Sequence, residues 1–125
     1  MKVAICAKGK WLDAEVDQRF GRCSYFVIVD PDSGLKLDAV PNKSAEAAGG
    51  AGPQAARQLS SLGVEAVVLG NLGPNAATAL EAANIKAYSG AEGTVEQTMQ
   101  KFREQKLFPL SEANVSSHAG MRDRK

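Results

Sequence analysis

Apolar residues fall in short blocks separated by glycine- and proline-bearing breaks, and their period changes partway along the chain. Val3 to Ala7 (VAICA) is uninterrupted and stops at Lys8-Gly9-Lys10, the pattern of a strand buried on both faces. Ser24 to Asp30 (SYFVIVD) is aromatic and β-branched on both alternating faces, which suits a second interior strand. The turn Asp30-Pro31-Asp32-Ser33-Gly34 closes it. Leu35 to Val40 alternates, with Leu35, Leu37 and Ala39 on one side and Lys36 and Asp38 on the other. That predicts an edge strand covered on one face.

A repeat follows. Gly52-Pro53-Gln54-Ala55-Ala56, with Leu59, Gly63, Val64 and Ala66, matches Gly73-Pro74-Asn75-Ala76-Ala77, with Leu80, Asn84, Ile85 and Ala87. Each copy puts proline near a helix start, where its missing N–H costs nothing. Each puts glycine or asparagine where the helix must stop in a left-handed turn. Strands at Val64 to Leu69 and Ile85 to Tyr88 follow at once, so the repeat is a pair of αβ units. A third helix begins at Thr94, whose Gln97 completes a capping-box pattern, and Val95, Met99 and Phe102 share its apolar face. From about Pro109 the chain turns Ser-, Asn- and charge-rich. This divides it into an α/β domain over 1–105 and an expected mobile tail over 106–125.

Three successive strands and then alternating helices and strands predict a five-stranded mixed α/β sheet. Right-handed crossovers give the order 3-2-1-4-5, with only strand 2 antiparallel to the rest. The C-terminal ends of strands 1, 3, 4 and 5 then share one edge, where all three helices begin. Divergence of strands 1 and 4 there makes the crevice at which open sheets usually bind ligands. Charge narrows what that edge can hold. Lysine and arginine number 15 against 14 acids, so no global field favours nucleic acid or an anionic membrane. No apolar run is long enough to span a bilayer or to serve as a signal h-region. With two cysteines as reduced thiols, a cytoplasmic location is expected.

Two glycine-rich stretches stand out, Gly49-Gly50-Ala51-Gly52-Pro53 and Gly70-Asn71-Leu72-Gly73-Pro74. Glycines at helix starts let an anion approach the backbone closely, and tight strand-to-helix turns need them too. Lys8, Lys10, Arg19 and Arg22 crowd the first long loop among Asp13, Glu15 and Asp17. Arg19-Phe20-Gly21-Arg22 spaces two guanidinium groups around an apolar anchor and a hinge, which favours a binding role. Cys6 reads as a small buried hydrophobe. Cys23 and the single histidine, His118, are the candidate metal ligands, an incomplete set by themselves.

The segment VDQRFGRCSYFVIVD (Val16 to Asp30), followed by the two glycine stretches, is similar to the dinitrogenase iron–molybdenum cofactor biosynthesis family. The resemblance covers about Val3 to Phe102, and as a single domain the chain is similar to the stand-alone, orange-protein-like branch known from anaerobes. It implies a ribonuclease H-like three-layer fold. It also implies a non-catalytic carrier of a molybdenum-containing metal–sulfur cluster or its precursor, of iron–molybdenum or molybdenum–copper type, bound non-covalently. On that resemblance Arg19, Phe20, Gly21, Arg22 and the glycines of both loops (Gly50, Gly52, Gly70 and Gly73, with Asn71) form the binding surface beside Lys8, and a donor or acceptor protein is the expected partner. A thiometallate is a polyanion with a weakly hydrated sulfide surface, which helix N-termini and arginines suit without ligand bonds. Nuclease activity is not expected, because the first strand carries no acid to clamp metals. Thiol-redox catalysis lacks a C-x-x-C at a helix start. An adaptor or regulatory domain that binds a partner protein through the same loops is the alternative.

Overall fold

The computed structural model describes residues 1–46 and 49–111. Six strands, β1 (Val3–Ala7), β2 (Tyr25–Asp30), β3 (Leu35–Pro41), β4 (Ala66–Val68), β5 (Lys86–Ser89) and β6 (Phe108–Leu110), form one sheet in the order β3-β2-β1-β4-β5-β6. β4 and β5 continue parallel from β1, and β2 runs antiparallel between β1 and β3. The expected order 3-2-1-4-5 with strand 2 reversed is therefore present. β6 extends it, antiparallel to β5, with Tyr88 opposite Pro109.

β6 comes from the segment read as tail. The chain reverses at Gln105, which adopts a left-handed φ of 59°, and Leu107 is buried. Pro109 made this stretch read as a break, but an edge strand tolerates a residue with no N–H to give.

Helices α1 (Ala51–Ser61), α2 (Pro74–Ala82) and α3 (Val95–Arg103) complete three layers. The alternation of the strands sorts the core into two faces. Ala4, Cys6, Phe26, Ile28 and Val67 meet Ala55, Leu59, Ala76 and Leu80 from α1 and α2. Val3, Ile5, Val27, Val29 and Val68 meet Val95 and Met99 from α3. Phe102 extends the second face, edge-on to Tyr88 at 5.1 Å. Both αβ helices stop as expected, Gly63 at φ 76° and Asn84 at φ 61°. α1 and α2 touch closely because Gly52 has no side chain; a Cβ there would lie 2.6 Å from that of Ala76.

β3 departs from its expected alternation. Its register with β2 skips Leu37, so Lys36 stands opposite Val29. Leu37 and Leu35 are exposed at 47% and 60% instead of lining the covered face. A bulge of this kind reverses which side chains face inward. Among the described residues no helix is long and apolar enough to cross a membrane.

Candidate functional site

The loop from Lys8 to Cys23 leaves the end of β1 and is stitched in place by backbone bonds. Lys8 N–H donates to Glu15 O (2.9 Å) and Asp17 N–H to Cys6 O (2.9 Å). Val16 N–H donates to Gly93 O (3.0 Å), and Gln18 O accepts from Asn71 N–H (2.7 Å). Residues 15–19 thus lie between the loops that follow β4 and β5. The Gln18 amide also donates to Ala91 O (3.0 Å), and Gln18 fills the space a side chain on Gly70 would occupy.

Asp17 organises the next step. Its carboxylate is 3% exposed and accepts from Arg19 Nε (3.1 Å), Arg19 Nη2 (2.9 Å) and the Arg19 backbone N–H (2.9 Å). The hydrogen-bonded guanidinium holds Asp17 below the usual carboxylate range, and Arg19 is raised in turn. Such a depressed carboxyl stabilises the fold fully above its unfolded value near ~3.9 and loses that contribution as pH falls through the lower folded value. Asp17→Asn is therefore expected to be less stable than wild type at neutral pH and to lose less on acidification, read from urea midpoints between neutral and acid pH.

A single 3-10 turn, Phe20–Arg22, carries the rest of the motif. Phe20 does not contribute to the surface. It is 2% exposed, with its ring 5.8 Å from that of Phe26, so it anchors the turn in the core. Gly21 lies against the start of α1, where a Cβ would stand 3.0 Å from Gly52 N. Arg22 Nη1 donates to Ala45 O (3.1 Å). Buried Asn42 and Ser44 tie the turn to the segment after β3. Asn42 Nδ2 donates to Cys23 O (2.9 Å), and Ser44 Oγ donates to Gly21 O (2.8 Å).

The helix starts are not equivalent. α1 and α2 follow Gly50 and Gly73, which offer no side chain as a cap; Gly50 adopts φ 69°. α3 begins at the same edge but has its N–H groups occupied. Thr94 and Gln97 cap each other's backbone. Val95 and Glu96 N–H donate to Ala14 O (2.9 Å) and Leu12 O (2.8 Å).

The crevice also lies elsewhere than expected. The Lys8–Cys23 loop and the Gly70–Gly73 turn are bonded together at Gln18, Arg19 and Asn71. The opening, about 470 Å³, faces the loop after β5 and is lined by Lys8, Glu15, Asp17, Arg19 and Gly93 with Glu92. Acids and cations pair on its wall, Lys8 with Glu15 (3.4 Å) and Arg19 with Asp17, and Glu92 pairs with Lys101 beyond it. Lys8 and Arg19 thus share this opening, while Gly21, Arg22, Gly50 and Gly52 gather where the 3-10 turn meets α1. Gly73 marks the start of α2. A larger groove of about 700 Å³ flanks α2, β5 and β6, lined by Leu72, Leu80, Ile85, Tyr88 and Leu110.

Cys23 is fully buried, its Sγ 3.5 Å from Phe20 O, so its thiol does not face the opening. His118 lies outside the described residues. Among those described, no three His, Cys, Asp or Glu side chains cluster as a metal site. Sequence reasoning missed Gln18, Asn42 and Ser44. Asp17 two residues before Arg19 was the one available cue, since a carboxylate often closes such a local turn.

Fold and loops together define a small α/β binding domain, with its polar groups gathered at the C-terminal ends of the central strands. The chain belongs to the dinitrogenase iron–molybdenum cofactor family, whose profile matches residues 1–105. Among solved structures it is similar to the apo form of the orange protein from Desulfovibrio gigas: 36% identity, TM-score 0.85, covering 90% of this chain and 95% of that one. It is likewise similar to a Thermotoga protein of the DUF35 family, at 40% identity and TM-score 0.76, covering 88% and 93%. An uncharacterised protein of Methanocaldococcus jannaschii is 28% identical over 90 residues, 70% of this chain and 76% of that one.

Proposed function

We propose that this chain binds and carries a molybdenum-containing metal–sulfur cluster, or a precursor of one, without transforming it. The observation that carries this reading is the pair Arg19 and Arg22. Each is held by a partner, Asp17 for one and Ala45 O for the other, at the two ends of a turn seated on the start of α1. The uncapped starts of α1 and α2 add backbone donors on the same side. Arg19 is fixed yet its side chain is 64% exposed, so one flank remains open to an anionic sulfide surface. Family membership and likeness to the orange protein support a role linked to molybdenum cofactors.

The adaptor reading draws on a different observation, the mutual pairing of acids and cations around the 470 Å³ opening, which leaves its wall nearly balanced in charge. Anaerobic titration of the apo-protein with tetrathiomolybdate, with and without copper, separates the two. Saturable uptake seen in visible absorbance is expected and weakens as salt is raised. No uptake under any metal combination favours the adaptor.

A further inference from the structure

Trp11 stands out from the first loop with 61% of its surface exposed, and the carrier role makes no use of it. Its ring lies beside β3, with Lys36 Nζ 4.5 Å and Lys10 Nζ 6.0 Å from the ring centroid. Lys36 Nζ also donates to Lys10 O (3.2 Å), which ties the loop to the strand. Exposed Leu35 and Leu37 adjoin Lys36 along this edge, Leu37 at the bulge. Three of the five large apolar side chains exposed among the described residues are thus gathered in one place. Such groups need no explanation when scattered singly, but a patch rimmed by charge marks a contact surface.

The charges here differ from those of the 470 Å³ opening, where Lys8 and Arg19 each have a carboxylate. Lys10 and Lys36 make no ion pair among the described residues, so two ammonium groups flank the exposed indole. Acids brought by a partner would complement them. Strand addition is blocked. Asn42 N–H turns inward to Ser24 O (3.0 Å), so by alternation Ala39 and Pro41 face the outer edge. Pro41 has no N–H to give, and that of Ala39 donates to Asp38 Oδ1 (2.8 Å). A second copy pairing edge to edge is therefore disfavoured, and side chains must supply the grip. Exposed Asp13 and Asp38 stand two residues from Trp11 and Lys36, so a uniformly anionic membrane or nucleic acid also meets like charge. A polypeptide can place its acids over the lysines alone.

We infer that this patch docks an acidic segment of a partner protein, whose carboxylates meet Lys10 and Lys36 while an apolar side chain covers Trp11. The contact is independent of whether the arginines hold a cluster.

Random peptides displayed on phage are selected on the wild-type protein, then synthesised with a fluorescent label for anisotropy titration. The expected consensus carries acids beside an apolar residue. Trp11 is the only tryptophan, so its emission should shift to the blue as these peptides saturate the protein. Trp11→Ala should weaken binding roughly thirtyfold or more, the scale of an interface hot spot. Lys36→Glu and Lys10→Glu, the latter at an exposed position, should each weaken it roughly tenfold. No enriched sequence, a consensus without acids, or peptides that bind these variants as well as wild type overturns the inference. A blue shift given by phosphatidylglycerol vesicles or single-stranded DNA but not by the peptides overturns it too.

Discussion

Phe20→Ala is expected to lower the free energy of unfolding by about 3–5 kcal/mol, the usual cost of emptying an aromatic site in a packed core. In sequence Phe20 reads as an apolar anchor between two arginines, and the family resemblance sets it on the binding surface. In the fold it is 2% exposed and tilted against Phe26, among Cys6, Cys23, Ala55 and Leu72. The loss includes burial of the ring and the cavity left behind, since β1, β2 and α1 fix the walls. Urea unfolding followed by far-UV circular dichroism measures it. A change below about 1 kcal/mol, the scale of exposed positions, would show that the turn is not anchored there.

The double variant Arg19→Ala/Arg22→Ala is expected to weaken thiomolybdate binding by two to four powers of ten, approximately. Each charge-assisted contact is typically worth ~1.5–3 kcal/mol, or roughly ten- to a hundredfold, and the two arginines stand at opposite ends of the turn. The two substitutions differ in what else they disturb. Removing Arg19 leaves the buried Asp17 carboxylate without its guanidinium, so this substitution disturbs the turn as well as binding. Arg22 hydrogen-bonds to Ala45 O, and the single variant Arg22→Ala is the cleaner probe of binding. Titration of both variants, with melting curves as controls, separates affinity from stability. Undiminished uptake by the folded double variant removes this site from consideration.

How far the sequence could be read depended on whether a residue's role was local. Strand order followed from apolar blocks and the paired Gly-Pro helix starts, because handedness leaves few ways to connect them. The stops at Gly63 and Asn84 were legible for the same reason, as left-handed turns favour glycine and asparagine. β6 was not legible, since three residues around Pro109 become a strand only where β5 offers an open edge. The bulge at Leu37 likewise left no local mark; it arises from pairing with β2. At the site, the arginines and glycines were visible as residue types, but their partners were not. Gln18 beside Gly70 and Ser44 holding Gly21 O are contacts across the fold, and only the local Asp17–Arg19 pair had a cue in the sequence. Burial of Phe20 followed from the same contacts.

The stitching of residues 15–19 has a thermodynamic consequence. In many open sheets the loops at the strand ends order only when ligand arrives, and binding must supply that lost freedom. Here one run of backbone joins the loops after β1, β4 and β5 through Asp17 N–H to Cys6 O, Asn71 N–H to Gln18 O and Val16 N–H to Gly93 O. The ordering entropy is spent during folding, so a ligand meets a preorganised platform and retains more of its contact energy as affinity. Association then needs no rearrangement of these loops, and its rate is governed by diffusion, orientation and charge steering. Differences in affinity between competing ligands appear mainly in how long each one stays.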